Sequence, residues 1–238
     1  THYPKTIDIA RSITEQEAAV TEGQQPIRVP ELLKVLLERI SFEARESEYI
    51  DEKSGVSARL SISAYENLLS AAERRMLING DKKTTARITD FWGIVPAITG
   101  KVELVYEGEQ EGPYNVAMNL IGSAIKKEFL EIFPNPEKLK RGREKDPFGT
   151  IRAWFSGNNS VDLLNDEKEA SFKKALDKVA GLRKIVEHED IKKEDVYTYM
   201  ELVLHGLAEF NVINKDYIES RFTFHDYLAN MLGGFDEE

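Results

Sequence analysis

The sequence predicts an all-α protein, and three observations carry that expectation. Apolar residues recur at i, i+3, i+4 and i+7 through most of the chain. The periodic segments are opened and closed by Pro, Gly and Asn-Gly, which are helix boundary signals. Apolar–polar alternation shows only briefly, in "KVELVYEGEQEGP" at 101–113.

Each element follows from its own residues. In "PELLKVLLERISFEARE", Leu33, Leu36, Leu37, Ile40 and Ala44 share one helical face, and Pro30 suits the helix start. "SARLSISAYENLLSAAERRM" repeats the pattern with Leu60, Ala64, Leu68, Ala71, Ala72 and Met76, and Asn79-Gly80 offers a left-handed exit. "TARITDFWGIVPAITG" predicts a short apolar helix with Thr89 as N-cap, kinked or shortened by Pro96 and ending near Gly100. In 101–113 Val102, Leu104 and Tyr106 alternate, but the glycines and acids favour a loop, and a domain boundary is placed there. "PYNVAMNLIGSAIKKEFLEIFP" is a long helix stopped by Pro134. A short helix at "PFGTIRAWF", a turn at "SGNNS", and helices at "DEKEASFKKALDKV", "KKEDVYTYMELVLHGLAEF" and "FTFHDYLANML" complete the chain. No internal repeat stands out.

Composition narrows the function classes. The 238 residues suffice for one large or two small domains, each with a proper core. A net charge of -10 leaves no cationic surplus to neutralise a nucleic-acid backbone. The basic run "EKLKRGREKD" at 137–146 carries its own acids and reads as a solvated loop. Without cysteine there is no disulfide framework, thiol nucleophile or Cys-based zinc site, which suits a reducing, cytoplasmic setting. No segment approaches the roughly 20 apolar residues of a membrane span. The chain opens "THYPKTIDIA" without signal-peptide pattern or initiator Met, and reads as part of something longer.

Catalytic motifs are missing. There is neither a Gly-x-x-x-x-Gly-Lys-Ser/Thr loop nor a Gly-x-Gly-x-x-Gly after a strand. His2, His188, His205 and His225 are scattered, and His188 in "VEHED" reads as part of a solvated helix terminus. Glu43, Glu46 and Glu48 are spaced like an exposed helical face, and Phe91, Trp92, Trp154 and Phe155 like packing residues. No metal site and no self-sufficient active site is expected in this chain.

One residue stands out. Arg59 opens an otherwise apolar-faced helix, after Gly55, Val56 and Ser57. A helix N-terminus presents unpaired N–H groups and partial positive charge, and an arginine there adds a fork suited to phosphate oxygens. The residues alone leave a solvated surface charge and an anion contact both standing.

"GVSARLSISAYENLLSAAERRMLING" followed by "ARITDFWGIVPAI" resembles the helical lid of AAA+ ATPases of the MoxR and magnesium-chelatase ATPase-subunit group. The resemblance spans about residues 28–100, and "AITGKVELVYEGEQEG", "VAGLRKIV" and "HDYLANMLGG" resemble the long bacterial branch of that group. It implies that Arg59 is the sensor-2 arginine, reaching the terminal phosphate of a nucleotide bound by another domain. Ile88, Thr89 and Asp90 match the opening of the last lid helix loosely. The Walker motifs, sensor-1 residue and arginine finger of the family belong to a preceding α/β domain and do not occur here.

The domain organisation so implied is a junction over 1–27, a lid-like helical domain over 28–105 and a C-terminal helical domain over 106–238. ATP and Mg²⁺ would serve the full-length parent, with none held by this fragment. The implied partners are the upstream ATPase core, neighbouring subunits of a ring and a protein client or co-chelatase-like subunit, with no nucleic acid and no membrane. On this reading the parent is an ATPase and the fragment alone is not an enzyme. The alternative is a nucleotide-independent helical interaction domain. A tetrapyrrole-metallating enzyme ranks last, since neither porphyrin nor metal ligands are visible.

Overall fold

A computed structural model describes residues 3–57, 59–139, 146–187 and 190–227. The chain forms two compact units, Thr1–Glu128 and Phe129–Glu238. Among the described residues no helix is long and apolar enough to cross a membrane.

The first unit begins with α1 (Ile7–Glu17), whose N-cap Thr6 accepts the amide of Ile9 at 3.3 Å. β1 (Ile27–Arg28), α2 (Glu31–Glu46, led in by Pro30), α3 (Arg59–Ile78) and β2 (Thr84–Thr85) follow. β1 and β2 pair in parallel, Ile27 opposite Thr84 and Arg28 opposite Thr85. The core lies where Leu33, Leu36, Leu37 and Ile40 of α2 meet Leu60, Ala64, Leu68 and Ala72 of α3, all buried. Each such leucine or isoleucine contributes about 1.5–3 kcal/mol by leaving water. Helix α3 stops at a Schellman turn: Gly80 has φ of +66°, its amide reaches the carbonyl of Leu77, and that of Asp81 reaches Met76.

The stretch after β2 departs from expectation. Ile88–Ile94 is a 3₁₀ helix, and Val95–Thr99 forms α4. Thr89 is buried within the 3₁₀ helix instead of capping it, and Arg87 occupies the N-cap position. Pro96 does not end the helix but sits in the first turn of α4, where a missing N–H costs nothing. The segment expected as a loop contains a bridge from Leu104 to Ile50 and a short helix, α5 (Tyr106–Glu111). Helix α6 spans Pro113–Ile132, and the boundary between the units falls within its sequence, after Glu128.

The second unit corrects the all-α expectation. Besides α7 (Gly149–Ser156), α8 (Glu169–Asp177), α9 (Leu182–Val186) and α10 (Val196–Glu209), its described residues form three strands: β3 (Val161–Leu164), β4 (Ile213–Ile218) and β5 (Arg221–Asp226). They form an antiparallel sheet in the order β3-β5-β4. With the parallel β1–β2 pair, this makes the protein a mostly helical mixed fold. The helix expected at "FTFHDYLANML" is instead strand β5 up to Asp226, because Phe222 and Phe224 alternate with Thr223 and His225 and point into the core. Residues beyond Tyr227 lie outside the described residues. Phe129, Phe148 and Phe210 cluster with ring centroids 5.7 Å from Phe129 to each of the others. Gly206 is required there, since a Cβ would stand 2.2 Å from the Phe129 ring.

Candidate functional site at the start of helix α3

The loop that delivers Arg59 is built from short-range bonds. Ile50 is buried and bridges Leu104, and the Asp51 amide donates to the carbonyl of Glu103 at 2.9 Å. The Asp51 carboxylate accepts the amides of Lys53 and Ser54 and the Ser54 hydroxyl. Ser54 and the Lys53 amide hold that carboxyl below its usual range, although it is exposed to water. Gly55 turns the chain with φ of +68°, a left-handed conformation that a side chain would strain. Val56 then drops into the core. The Ser57 hydroxyl accepts the Arg59 amide at 3.2 Å and its carbonyl accepts that of Leu60 at 2.9 Å.

Leu60 is buried and Arg59 exposed, so the helix starts by sending one side chain inward and the next to solvent. Among the described residues the Arg59 guanidinium has no hydrogen bond or ion pair, and the first turn of α3 carries no acid. No acid within the first turn offsets the positive end of this 20-residue helix.

On the inner side a carboxylate is buried. Glu38 of α2 accepts the hydroxyl of Thr14 from α1, and the Ser61 hydroxyl in the first turn of α3 favours its charged form. Burial raises its pKa, and the two hydroxyls and the nearby Arg45 offset part of that cost. The Arg45 guanidinium lies 4.4 Å from the ring centroid of Tyr3 and 4.9 Å from that of Phe42.

Asp90 has a different surrounding from Arg59. It is buried and takes a two-pronged ion pair from Arg75, Nε to Oδ1 at 3.2 Å and Nη2 to Oδ2 at 2.8 Å. It also accepts the Arg87 amide at 2.8 Å. Arg75 further donates to the hydroxyl of Thr84 and the carbonyl of Thr85. The structure therefore does not bring Asp90 and Arg59 into one site: Asp90 locks the lower half of α3 to β2 and the 3₁₀ helix. Sequence reasoning missed Arg75, which reads locally as one more cation in "AAERRM".

Other candidates resolve individually. Glu43 and Glu46 share Lys127 at 2.6 and 3.2 Å beside a cleft of about 420 Å³, so Glu43 is a half-buried ion-pair partner and not part of a solvated face. Phe91 and Phe155 are core residues, whereas Trp92 and Trp154 are half-buried. His225 Nε2 lies 2.6 Å from Asp216, and His205 is buried with neither ring nitrogen partnered. His2 and His188 lie outside the described residues. Among the described residues no group of three or more His, Cys, Asp or Glu is arranged to hold a metal. No family model matches the chain, nor does any curated protein or solved structure.

Proposed function

We propose that this chain is the lid and following domain of a MoxR or magnesium-chelatase-like AAA+ ATPase, with Arg59 sensing the nucleotide state. The observation that carries this reading is an exposed guanidinium, without a hydrogen bond or ion pair among the described residues, on the first residue of a 20-residue helix whose first turn has no acid. That combination suits a phosphate, because the fork and the helix terminus favour the same negative charge. The bound nucleotide with its Mg²⁺ would supply the phosphoryl chemistry from the upstream core. Arg59 would hold the terminal phosphate oxygens, and losing that contact on hydrolysis would release the lid to move against a ring neighbour and a client. The setting is cytoplasmic.

The test uses the protein carrying the P-loop domain upstream of Thr1. Arg59→Ala should cut ATP turnover tenfold or more, about 1.4 kcal/mol of transition-state stabilisation. Turnover within twofold of wild type, or a coding sequence with no P-loop upstream, overturns the reading. Isothermal titration of the 238-residue chain with ATP and Mg²⁺ should show no micromolar binding. A second reading, a nucleotide-independent interaction domain, draws on Leu77 and Ile78, adjacent and exposed at the end of α3. An Arg59→Ala protein with normal turnover would favour it.

A further inference from the structure

The arm from Tyr3 to Glu17 reaches the surroundings of the start of α3 at two points, and few of its side chains are buried. Helix α1 buries only Ala10 and Thr14, and leaves Ile9 and Ile13 exposed. Thr14 reaches Glu38, whose buried carboxylate the Ser61 hydroxyl in the first turn of α3 also helps to stabilise. Ahead of α1, the Tyr3 ring covers the Arg45 guanidinium, and its hydroxyl fills the space beside Gly55 that a Cβ would need, 2.5 Å from that position. Gly55 is the turn that aims the chain toward Arg59. One contact holds the loop before the arginine and the other the helical turn after it.

We propose that the arm from Tyr3 to Glu17 positions Arg59, with Tyr3 and Thr14 as the positioning residues. This rests on the reading of Arg59 as a phosphate sensor. A shift of the arm loosens the Gly55 turn and the first turn of α3 together, so the arm's attachment sets how firmly the guanidinium is presented. The arm leads directly away from the position assigned to the ATPase core, so motion of that core reaches Arg59 through bonded chain and two contacts.

Amide hydrogen exchange by mass spectrometry tests the device. Tyr3→Ala and Thr14→Val should each speed exchange over Lys53–Ser57 tenfold or more, while Ala64–Ala72 in the middle of α3 stays within twofold. Tyr3→Phe, which keeps the ring on Arg45 but loses the hydroxyl beside Gly55, should exchange over Lys53–Ser57 at a rate between wild type and Tyr3→Ala. In the protein with its P-loop domain, both disruptive variants should lower kcat at least threefold with KM for ATP unchanged. Unaltered exchange over Lys53–Ser57 overturns the proposal, as does an equal rise over Ala64–Ala72, which marks plain destabilisation. Faster loop exchange with normal kcat, where Arg59→Ala does cut turnover, also overturns it. If Arg59→Ala itself leaves turnover intact, the sensor reading has failed, and the exchange data still decide whether the arm holds the loop.

Discussion

Asp90→Asn should be among the most damaging single changes in the first unit. The pair it breaks has side chains only 2% and 3% exposed, with 2.8 Å between Arg75 Nη2 and Asp90 Oδ2. At that distance and an effective dielectric near 20, the attraction is about 6 kcal/mol, much of it offset by taking both ions out of water. Removing one partner leaves that cost on the other, so the expected loss is about 3–5 kcal/mol. Arg75 keeps Thr84 and the Thr85 carbonyl, which solvate its charge and place the loss toward the lower figure. Urea unfolding followed by far-UV circular dichroism gives the number. The double variant Arg75→Met/Asp90→Asn should recover more than half of it, because no unpaired charge remains buried, and the Asn carbonyl still accepts the Arg87 amide. A single-variant loss below about 1 kcal/mol, the size of a surface pair, would refute this reasoning.

Arg59→Ala should shift the stability of the chain by no more than about 0.5–1 kcal/mol in the same assay, as an exposed residue with no hydrogen bond or ion pair from its guanidinium among the described residues. Unfolding of that variant would make Arg59 structural. His205 should make the second unit acid-sensitive, since burial, with Lys215 nearby, holds its pKa well below the usual value. The unfolded chain then takes up the proton first, so stability is full above about pH 6.5 and falls below it, by about 1.4 kcal/mol at pH 5.5. His205→Leu should remove that slope, and parallel slopes for the two proteins would contradict it. In the β4–β5 turn, Glu219 has φ of 52° and Ser220 φ of 60°, both unfavourable for side chains. Among the described residues the Glu219 side chain has no hydrogen bond or ion pair to hold it there, and Glu219→Asn should stabilise by roughly 0.5–1 kcal/mol in thermal melts.

Helices α2, α3 and α10 were legible because their apolar residues repeat over three or more turns and their ends carry Pro, Asn-Gly or a change of period. The strands were not, for physical reasons that differ. A two-residue strand such as β1 has no period to detect. β4 reads "INKDYI", with only Ile213 fully buried, so its sequence looks like a loop. β5 did carry a signal, the alternation of Phe222 and Phe224, but an apolar run followed by "YLANML" imitates a helix. Arg59 was visible as an anomaly at a helix start, and the structure places it there, exposed. Arg75, Glu38 and Tyr3 were not visible, because each acquires meaning from partners 15, 24 and 52 positions away, namely Asp90, Thr14 and Gly55.

The β1–β2 pair has a consequence for how the first unit assembles. Two residues of parallel ladder cannot persist in water by themselves. The pair closes only after α2 and α3 have folded back on each other and Arg75 has taken hold of Thr84 and Thr85. It should therefore be the last part of the unit to form and the first to open, contributing to the unfolding rate far more than to the folding rate. Its two reporters are the amides of Thr84 and Ala86, which donate to Pro26 and Arg28. Their exchange marks the loosening of the segment that carries the chain from α1 into α2, while the middle of α3 is still intact.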